Sequence, residues 1–405
     1  MGTQRNPYEE YEGKPEFILT DGFAIEEHSD GSAAAILDRN GALYREVVPR
    51  KDFFDLLFPT VQGLLTDLAQ GSSLAEQFER EWGAYLEADE EAMRSYGVLV
   101  YYPRRGHIVR FAPRYWHRLA LMVRNSTLFL DSSQKMKWGD IRNVFNGVVP
   151  AIAGCSLGYH AAQAIVWDVR PERMKIAELD ASDLSNMNRL PFGYEDLGRN
   201  KGLVAAERFH AIDPFMKISV FSEGVHAGNI DDFILGNPEI GEPAATVIVE
   251  ETDNPDVKIF LRKKARESGK PVIMVSDVGS GAQRDVQRYD LDTTLPLALG
   301  GITDEELLAA QERYKEHPDL ERFFTFAFSI LGDSYTRMPE FNAIVRSILE
   351  NADPPEFGGT PQLGSTAMVA GGFAGEAVAR IALGYYLKER IFVDITQGAK
   401  EGGGR

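Results

Sequence analysis

Arg189, Lys201 and the amide of Asn186 fall close together behind a segment ending in Glu178 and Asp180, and a later segment ends in Glu250-Glu251-Thr252-Asp253-Asn254. Cations and amide donors in such a group can stabilise charge that builds on phosphate oxygens. An acid at a strand end can accept from ribose hydroxyls, and a lone hard carboxylate can share a divalent ion with phosphates. Ahead of them runs VVPAIAGCSLGYHAAQAIVWD, which reads as strand, tight turn and helix. A turn of this kind aims backbone N–H groups and a helix dipole at an anion. It lacks the full GxGxxG pattern and is weak evidence alone. Taken one at a time, Asp180, Asp183 and Asp253 also read as loop caps, and Glu250 is open between a metal ligand and a plain strand-end acid.

The same turn, Gly154-Cys155-Ser156-Leu157-Gly158, satisfies G-x-S-x-G, the nucleophile elbow of serine hydrolases. That chemistry needs an acid and a histidine further along, at strand ends. None of the downstream histidines, His160, His210, His226 and His317, stands at one, and the elbow leaves the segments around Asn186 and Asp253 without a purpose.

These residues need a scaffold, and from Gly147 the chain alternates strand and helix. Strands are expected at Val148–Ala153, Met174–Leu179, Lys217–Phe221, Ala245–Glu250, Pro271–Ser276 and Arg390–Asp394. Helices are expected at Gly158–Val169, Lys201–Ala211, Pro255–Ser268, over most of 303–350, and at Ser365–Leu387. The apolar runs are short and rich in Val and Ile, as in buried parallel strands. Before this lies a small α+β unit, residues 15–111. It is expected to hold a meander of Glu16–Thr20, Ala33–Leu37 and Leu43–Val48, helices at Asp52–Leu68, Ser73–Trp82 and Asp89–Ser95, and a hairpin of Val98–Tyr102 with Ile108–Phe111. Residues 1–14 read as disordered, 112–146 as a helical connector, 147–395 as the main domain and 396–405 as a flexible tail.

The chain has 405 residues and a formal net charge of −18, which disfavours a broad basic surface for nucleic acid. A single cysteine, Cys155, excludes an internal disulfide and a cysteine-based zinc site. No stretch has the length and apolarity of a membrane span, and the expectation is a soluble protein of a reducing, cytoplasmic compartment.

In order and spacing, the Gly-rich turn, Glu178-Leu179-Asp180, Ser185-Asn186-Met187-Asn188-Arg189, Asp196-Leu197-Gly198-Arg199-Asn200-Lys201 and Thr252-Asp253-Asn254 resemble the ThiF family, the adenylate-forming enzymes that include the ubiquitin-activating proteins. The closing segment PQLGSTAMVAGGFAGEAVARIALG is similar to the family's last helix. The resemblance implies an α/β fold with a Rossmann-like, mostly parallel sheet. It implies an ATP-dependent adenylyltransferase that joins a carboxylate to AMP and releases pyrophosphate, with Mg²⁺ and without zinc. On that resemblance Gly154, Ser156 and Gly158 form the nucleotide turn, Glu178 and Asp180 take the ribose, and Asn186, Arg189 and Lys201 hold phosphates. Asp253 binds Mg²⁺, and Arg124 matches loosely an arginine that the family often supplies from a partner subunit. The implied partners are ATP, a carboxylate-bearing peptide or small protein, and a second copy of the chain in a homodimer.

The chain departs from the family at several positions. Cys155 and Ser156 add bulk where backbone approaches phosphate, and Leu190 replaces the usual Gln. With its only thiol inside the turn, the chain is not expected to run a thioester relay. The crowded turn leaves open a non-catalytic nucleotide- or peptide-binding scaffold. The N-terminal unit is similar in topology to the winged-helix peptide-recognition domain of enzymes that modify ribosomal peptides, which clamps a leader peptide as an added strand. An accessory domain that only covers the sheet or builds a dimer is the other reading.

Overall fold

A computed structural model describes residues 6–18, 24–27, 33–37, 41–87, 96–125, 138–335 and 362–396. The chain folds as two compact units, one of Tyr11–Trp138 with Glu207–Phe215, the other of Met1–Glu10, Gly139–Ala206 and Met216–Arg405.

The first unit holds two small sheets and three helices among its described residues. Its strands are β1 (Glu16–Phe17), β2 (Ala24–Glu27), β3 (Ala33–Leu37), β4 (Leu43–Pro49), β5 (Phe53–Asp55), β6 (Val98–Tyr102) and β7 (His107–Phe111). Its helices are α1 (Leu57–Asp67), α2 (Ser73–Leu86) and α3 (Arg114–Met122). The meander is present with a different first strand. β2 pairs with β3, whereas Glu16–Phe17 pairs antiparallel with β6 in the other sheet. The acidic Ala-Ile-Glu-Glu of β2 hides this strand from a search for apolar alternation. The helix expected from Asp52 begins later, because Phe53 and Phe54 extend as β5 alongside β7. Asp55 Oδ1 then accepts from the Leu57 backbone N–H at 2.9 Å and starts α1.

Nor is the segment from 112 to 146 a connector throughout. α3 buries Trp116, Leu119 and Met122, and the first two pack with Leu57, Val61, Leu64 and Phe78 of α1 and α2 in one core. The third helix expected at Asp89–Ser95 and the residues 126–137 lie outside the described residues.

The second unit is built on a seven-stranded sheet in the order β10-β9-β8-β11-β12-β13-β14. The strands are β8 (Pro150–Ala153), β9 (Arg173–Ala177), β10 (Lys217–Phe221), β11 (Val247–Glu250), β12 (Val272–Val278), β13 (Gly281–Gln287) and β14 (Arg390–Asp394). In that order the five strands from β10 to β12 are parallel, and β13 alone runs against them, pairing antiparallel with β12 on one side and β14 on the other. β8 is fully buried and lies between β9 and β11, so the strand order reverses beside it. In open α/β sheets the crevice outside the strand ends at such a reversal is where ligands bind.

Helices α4 (Trp138–Asn146), α5 (Leu157–Asp168), α6 (Lys201–Ile212), α7 (Ile230–Ile234), α8 (Pro255–Glu267), α9 (Asp304–Glu316), α10 (Leu320–Leu331) and α11 (Gly364–Leu383) follow in chain order. α11 packs closely along α5. A Cβ added at Gly371 would stand 2.5 Å from the Cβ of His160, and one at Gly375 2.8 Å from that of Ala164. Among the described residues α11 alone is long and apolar enough to cross a membrane, and 50% of that stretch is buried inside the protein. Residues 336–350 of the region expected to be helical, and the tail from 397, lie outside the described residues.

The expected disorder before residue 15 does not extend to Asn6–Glu10. Tyr8 stacks on Phe221 with ring centres 3.9 Å apart, and its hydroxyl donates to Asp232 Oδ2 at 2.9 Å. Asn6 Nδ2 donates to Glu242 Oε2 at 2.5 Å, and Glu242 is itself buried as the ion-pair partner of Lys175 at 3.0 Å. Strand β13 was hidden from sequence reading for a clear reason. All seven of its residues are buried although four are polar or charged, so it carries neither an apolar run nor an alternation.

Candidate active site

A cavity of about 720 Å³ opens at the ends of the parallel strands, where the strand order reverses. Gly154, Ser156, Glu178, Asp180, Asn186, Arg189, Lys201 and Asp253 all line it.

The turn after β8 works because Gly154 has φ +92° and passes 2.6 Å, measured from a virtual Cβ, from the carbonyl oxygen of Glu251. A side chain there is excluded on both counts. Gly158 keeps the first turn of α5 close to β8, its virtual Cβ lying 3.1 Å from Ile152. Cys155 is completely buried, and burial pushes its thiol well above the ordinary range. It is a packed apolar side chain and an inert thiol. Ser156 stands at the N-cap position of α5 without a side-chain capping bond, and its Oγ accepts from Arg189 Nε at 3.2 Å and Nη2 at 3.1 Å.

That pair of bonds, with no histidine bonded to Ser156 among the described residues, speaks against the hydrolase reading. A nucleophilic serine hands its proton to a base, whereas Ser156 receives hydrogen bonds from a guanidinium. His160 is engaged elsewhere, its Nε2–H donating to the Arg189 carbonyl oxygen at 2.6 Å. Burial lowers the pKa of His160, partly opposed by that bond, so the ring is neutral at pH 7.

Glu178 lies at the end of β9 and is 6% exposed. Its Oε2 accepts from the Cys155 N–H at 2.7 Å and its Oε1 from the Asp180 N–H at 2.8 Å, so it ties the glycine turn to the neighbouring strand. Burial raises its pKa, and the two backbone bonds and the nearby Lys201 pull the other way. Asp180 is more open and pairs with Lys201 Nζ at 3.1 Å.

The segment 183–189 folds as a capped 3₁₀ turn. Asp183 Oδ1 accepts from Ser185 N–H at 2.8 Å and Asn186 Oδ1 from Asp183 N–H at 3.0 Å. Locked by its oxygen, Asn186 keeps its amide hydrogens without a protein acceptor among the described residues. Arg189 is half-buried, which lowers its pKa against the opposing field of Asp277. The Asp196-x-Gly stretch is scaffolding. Asp196 Oδ2 accepts from Gly193 N–H at 2.9 Å, and Gly198, at φ +76°, donates to the Ser182 carbonyl at 2.9 Å. Asn200 then caps α6 and also donates to the Glu178 carbonyl at 2.7 Å, which fixes Lys201 at the helix start beneath the cavity.

The turn after β11 divides its labour in the same way. Thr252 Oγ1 accepts from Asn254 N–H at 3.2 Å, and Asn254 Oδ1 caps α8 by accepting from Asp256 N–H at 2.9 Å. Asp253 between them is exposed to the cavity and makes no hydrogen bond or ion pair among the described residues. Glu250 is settled as structural: it is fully buried and bound by Lys258 at 2.9 Å and Arg262 at 3.0 Å. No cluster of three or more metal-ligating side chains exists among the described residues. A single open carboxylate facing this cavity fits Mg²⁺, which takes few protein ligands and shares phosphate oxygens and water.

Arg124 does not line the cavity. It lies in the other unit, 80% exposed, with Nε and Nη2 on the two oxygens of Asp67 at 3.1 and 2.9 Å. Sequence reading also missed residues that do line it. Glu251 is held by Val275 N–H at 2.6 Å, Asp277 by Gln362 at 2.9 Å, and α10 adds Phe323, Phe326 and Ile330. Glu251 and Gln362 lie inside segments already singled out, but Asp277 and the α10 aromatic residues do not, and Gln362 is far from Asp277 in sequence, so no local signal marks the pair.

A glycine turn at the strand reversal, carboxylates at the ends of β9 and β11, and cations from two intervening segments frame a crevice in an α/β domain whose groups can receive a phosphate-bearing ligand. The chain belongs to the ThiF family, whose match runs over residues 151–394. It is 28% identical over 312 residues to the uncharacterized protein MT1398 of Mycobacterium tuberculosis (strain CDC 1551 / Oshkosh), covering 76% of this chain and 38% of that relative. The chain therefore spans little more than a third of the length of the curated relative it matches. Among solved structures it is similar to PaaA, at 14% identity and TM-score 0.47 over 82% of this chain and 92% of that one. It is also similar to E. coli MccB bound to MccA, at 12% and 0.42 over 93% of both chains. A third is E. coli tRNA N6-threonylcarbamoyladenosine dehydratase, TcdA, at 18% and 0.34 over 43% of this chain and 68% of that one.

Proposed function

We propose that this protein is an ATP- and Mg²⁺-dependent adenylyltransferase that activates a carboxylate on a peptide or small protein. An oxygen of the carboxylate attacks the α-phosphorus of ATP, the bond from that phosphorus to the bridging oxygen breaks, and pyrophosphate leaves. Carboxylate is a competent nucleophile already, so the protein's work is positioning and charge stabilisation. The turn at Gly154–Leu157 and the start of α5 receive phosphate oxygens, and Glu178 and Asp180 take the ribose side. Asn186, Arg189 and Lys201 stabilise the charge that develops on the α-phosphate and the leaving group. Asp253 is the residue that would hold Mg²⁺, whose charge would offset that of the leaving pyrophosphate.

The observation that carries this reading is the convergence of Asn186, Arg189, Lys201 and Asp253, from three separate segments, on the cavity beside the Gly154 turn. The buried, inert Cys155 supports a reaction without a thioester relay. Homodimerisation, a cytoplasmic setting and capture of a leader peptide by the N-terminal unit belong to the same proposal. Titration of peptides encoded beside the gene into the full chain tests the last, and absence of saturable binding removes it.

ATP–pyrophosphate exchange tests the activity. Exchange by the wild type that Asp253→Ala abolishes is the expected result; exchange that persists in the variant rejects the role of Asp253. A nucleotide-binding scaffold is the second reading, favoured by Ser156, whose hydroxyl occupies the turn and holds Arg189. Calorimetry separates the two, since a scaffold binds ATP without any exchange.

A further inference from the structure

The segment Asn6–Glu10 belongs to the second unit and has no part in the reaction described so far. A network of polar groups fastens it to the face of the sheet that carries Lys175 of β9 and its register partner Ser219 of β10. Asn6 Nδ2 donates to Glu242 Oε2, which also accepts from Ser219 Oγ at 2.6 Å. Lys175 Nζ pairs with Glu242 Oε1 at 3.0 Å and donates to the Asp232 carbonyl oxygen at 2.7 Å. Asp232 in turn accepts the Tyr8 hydroxyl on Oδ2 and Asn237 Nδ2, at 3.1 Å, on Oδ1. Glu9 Oε1 meets Arg173 Nη1 at 3.3 Å. Buried polar groups that find partners fix one arrangement of the elements they join.

Phe221, the last residue of β10, is where this segment bears on the cavity. Tyr8 stacks on its ring with centres 3.9 Å apart. Tyr8 also packs against the core cluster that holds Phe221 together with Ala153, Ala177 and Val225, and those three line the cavity. The Phe221 carbonyl oxygen accepts from the Glu178 N–H at 3.1 Å and from the Gly224 N–H at 3.0 Å. Glu178 holds the Gly154 turn through the Cys155 N–H, and Glu223, Gly224 and Val225 line the cavity beside it. One residue thus carries Tyr8 on its ring and two cavity-lining segments on its carbonyl. Phe221 is 2% exposed and close-packed, so a shift of its ring is passed to what its backbone holds.

We propose that Tyr8 is a positioning residue for the nucleotide: stacked on Phe221, it holds Glu178 and the Glu223–Val225 turn in the arrangement that takes the ribose end of ATP, so that docking of Asn6–Glu10 and binding of ATP strengthen each other. Tyr8 does not line the cavity and acts only through Phe221. The coupling is reciprocal, because the factor that the docked segment adds to ATP affinity is the factor that ATP adds to docking of the segment. The inference rests on the nucleotide site proposed above and not on turnover.

The test has two arms, both on the full chain. In the first, ATP with Mg²⁺ is titrated calorimetrically into wild type, Tyr8→Ala and Tyr8→Phe. Tyr8→Ala is expected to bind ATP about fivefold more weakly or worse, and Tyr8→Phe, which keeps the stacked ring, to stay within about twofold of wild type. In the second, hydrogen exchange of the backbone amides of residues 6–10 is followed in the wild type with and without saturating ATP and Mg²⁺. The bound nucleotide should slow that exchange by a similar factor, about fivefold or more. A segment that only braces the sheet would lower the melting temperature of Tyr8→Ala and leave both readouts unmoved. Undiminished ATP affinity in Tyr8→Ala, a Tyr8→Phe as weak as Tyr8→Ala, or exchange at residues 6–10 that ignores bound ATP overturns the proposal. A wild type that does not bind ATP overturns the nucleotide site instead. Should Tyr8→Ala fail to fold, the exchange measurement on the wild type decides.

Discussion

Ser156 shows how one residue's departure from a familiar pattern acquires a physical meaning. A hydroxyl in this glycine turn takes up space, yet here it accepts two N–H groups of Arg189 and fixes the plane of that guanidinium. Hydrogen bonds to a charged group contribute about 1.5–3 kcal/mol. Ser156→Ala is therefore expected to lower kcat/KM for exchange by roughly tenfold, through a loosely held Arg189. An unchanged kcat/KM assigns Ser156 no positioning role. Asp277 gives a second prediction, of stability. Burial raises its carboxyl to about 6, with the Gln362 hydrogen bond and the Arg189 charge opposing the rise. Because folding raises this pKa, the penalty for charge is fully present above pH 6 and fades as the pH falls toward the ordinary carboxylate value of 3.8. Asp277→Asn should stabilise the protein at pH 8 by up to ~3 kcal/mol and by almost nothing at pH 3.5. Melting at the two pH values checks this, and an equal gain at both contradicts the assignment. That Asn186, Arg189, Lys201 and Asp253 share one cavity was legible in sequence because each stands in a short motif after a strand, although the bonds that hold Arg189 and Lys201 come from Ser156 and Asp180. Asp277 was not, because its partner Gln362 arrives from the segment just before α11.

At the scale of elements, the junction of α5 and α11 is the most exposed to a test. α5 begins at the Gly154 turn, and Gly371 and Gly375 allow α11 to lie against it. A Cβ at Gly371 would stand 2.5 Å from His160 Cβ and 2.6 Å from its carbonyl carbon, a clash that no side-chain rotation relieves. Gly371→Val is expected to cost about 1–3 kcal/mol or more by overpacking and to weaken ATP binding by shifting α5. A thermal melt and an ATP titration on one sample check both, and a melting temperature equal to the wild type's refutes the packing argument. The apolar parallel strands were readable because burial on both faces demands continuous Val and Ile. β13 was not, since its Gln283, Arg284, Asp285 and Gln287 are buried as hydrogen-bonded and ion-paired groups. β5 was misread as helix because two aromatic residues fit either period until β7 is beside them.

For the whole molecule, the division into units explains why linear boundaries failed. The second unit takes in Asn6–Glu10 as well as the long stretch after Gly139, and the first takes back Glu207–Phe215 from the end of α6. Such exchanges leave no composition shift to read. A ligand that binds only the folded state raises stability by mass action, about 2.7 kcal/mol at a concentration 100 times its Kd. Mg²⁺ with ATP should therefore raise the melting temperature of the full chain, and ATP with excess chelator should do so less; equal shifts would remove the divalent ion from the account.

The central claim is that the Gly154 turn, Arg189, Lys201 and Asp253 form one nucleotide site. Calorimetric titration of ATP with Mg²⁺ into the wild type, Arg189→Ala and Lys201→Ala tests it most directly. The account predicts one site per chain in the wild type and at least a tenfold loss of affinity in each variant; undiminished binding by both variants, or none by the wild type, contradicts it.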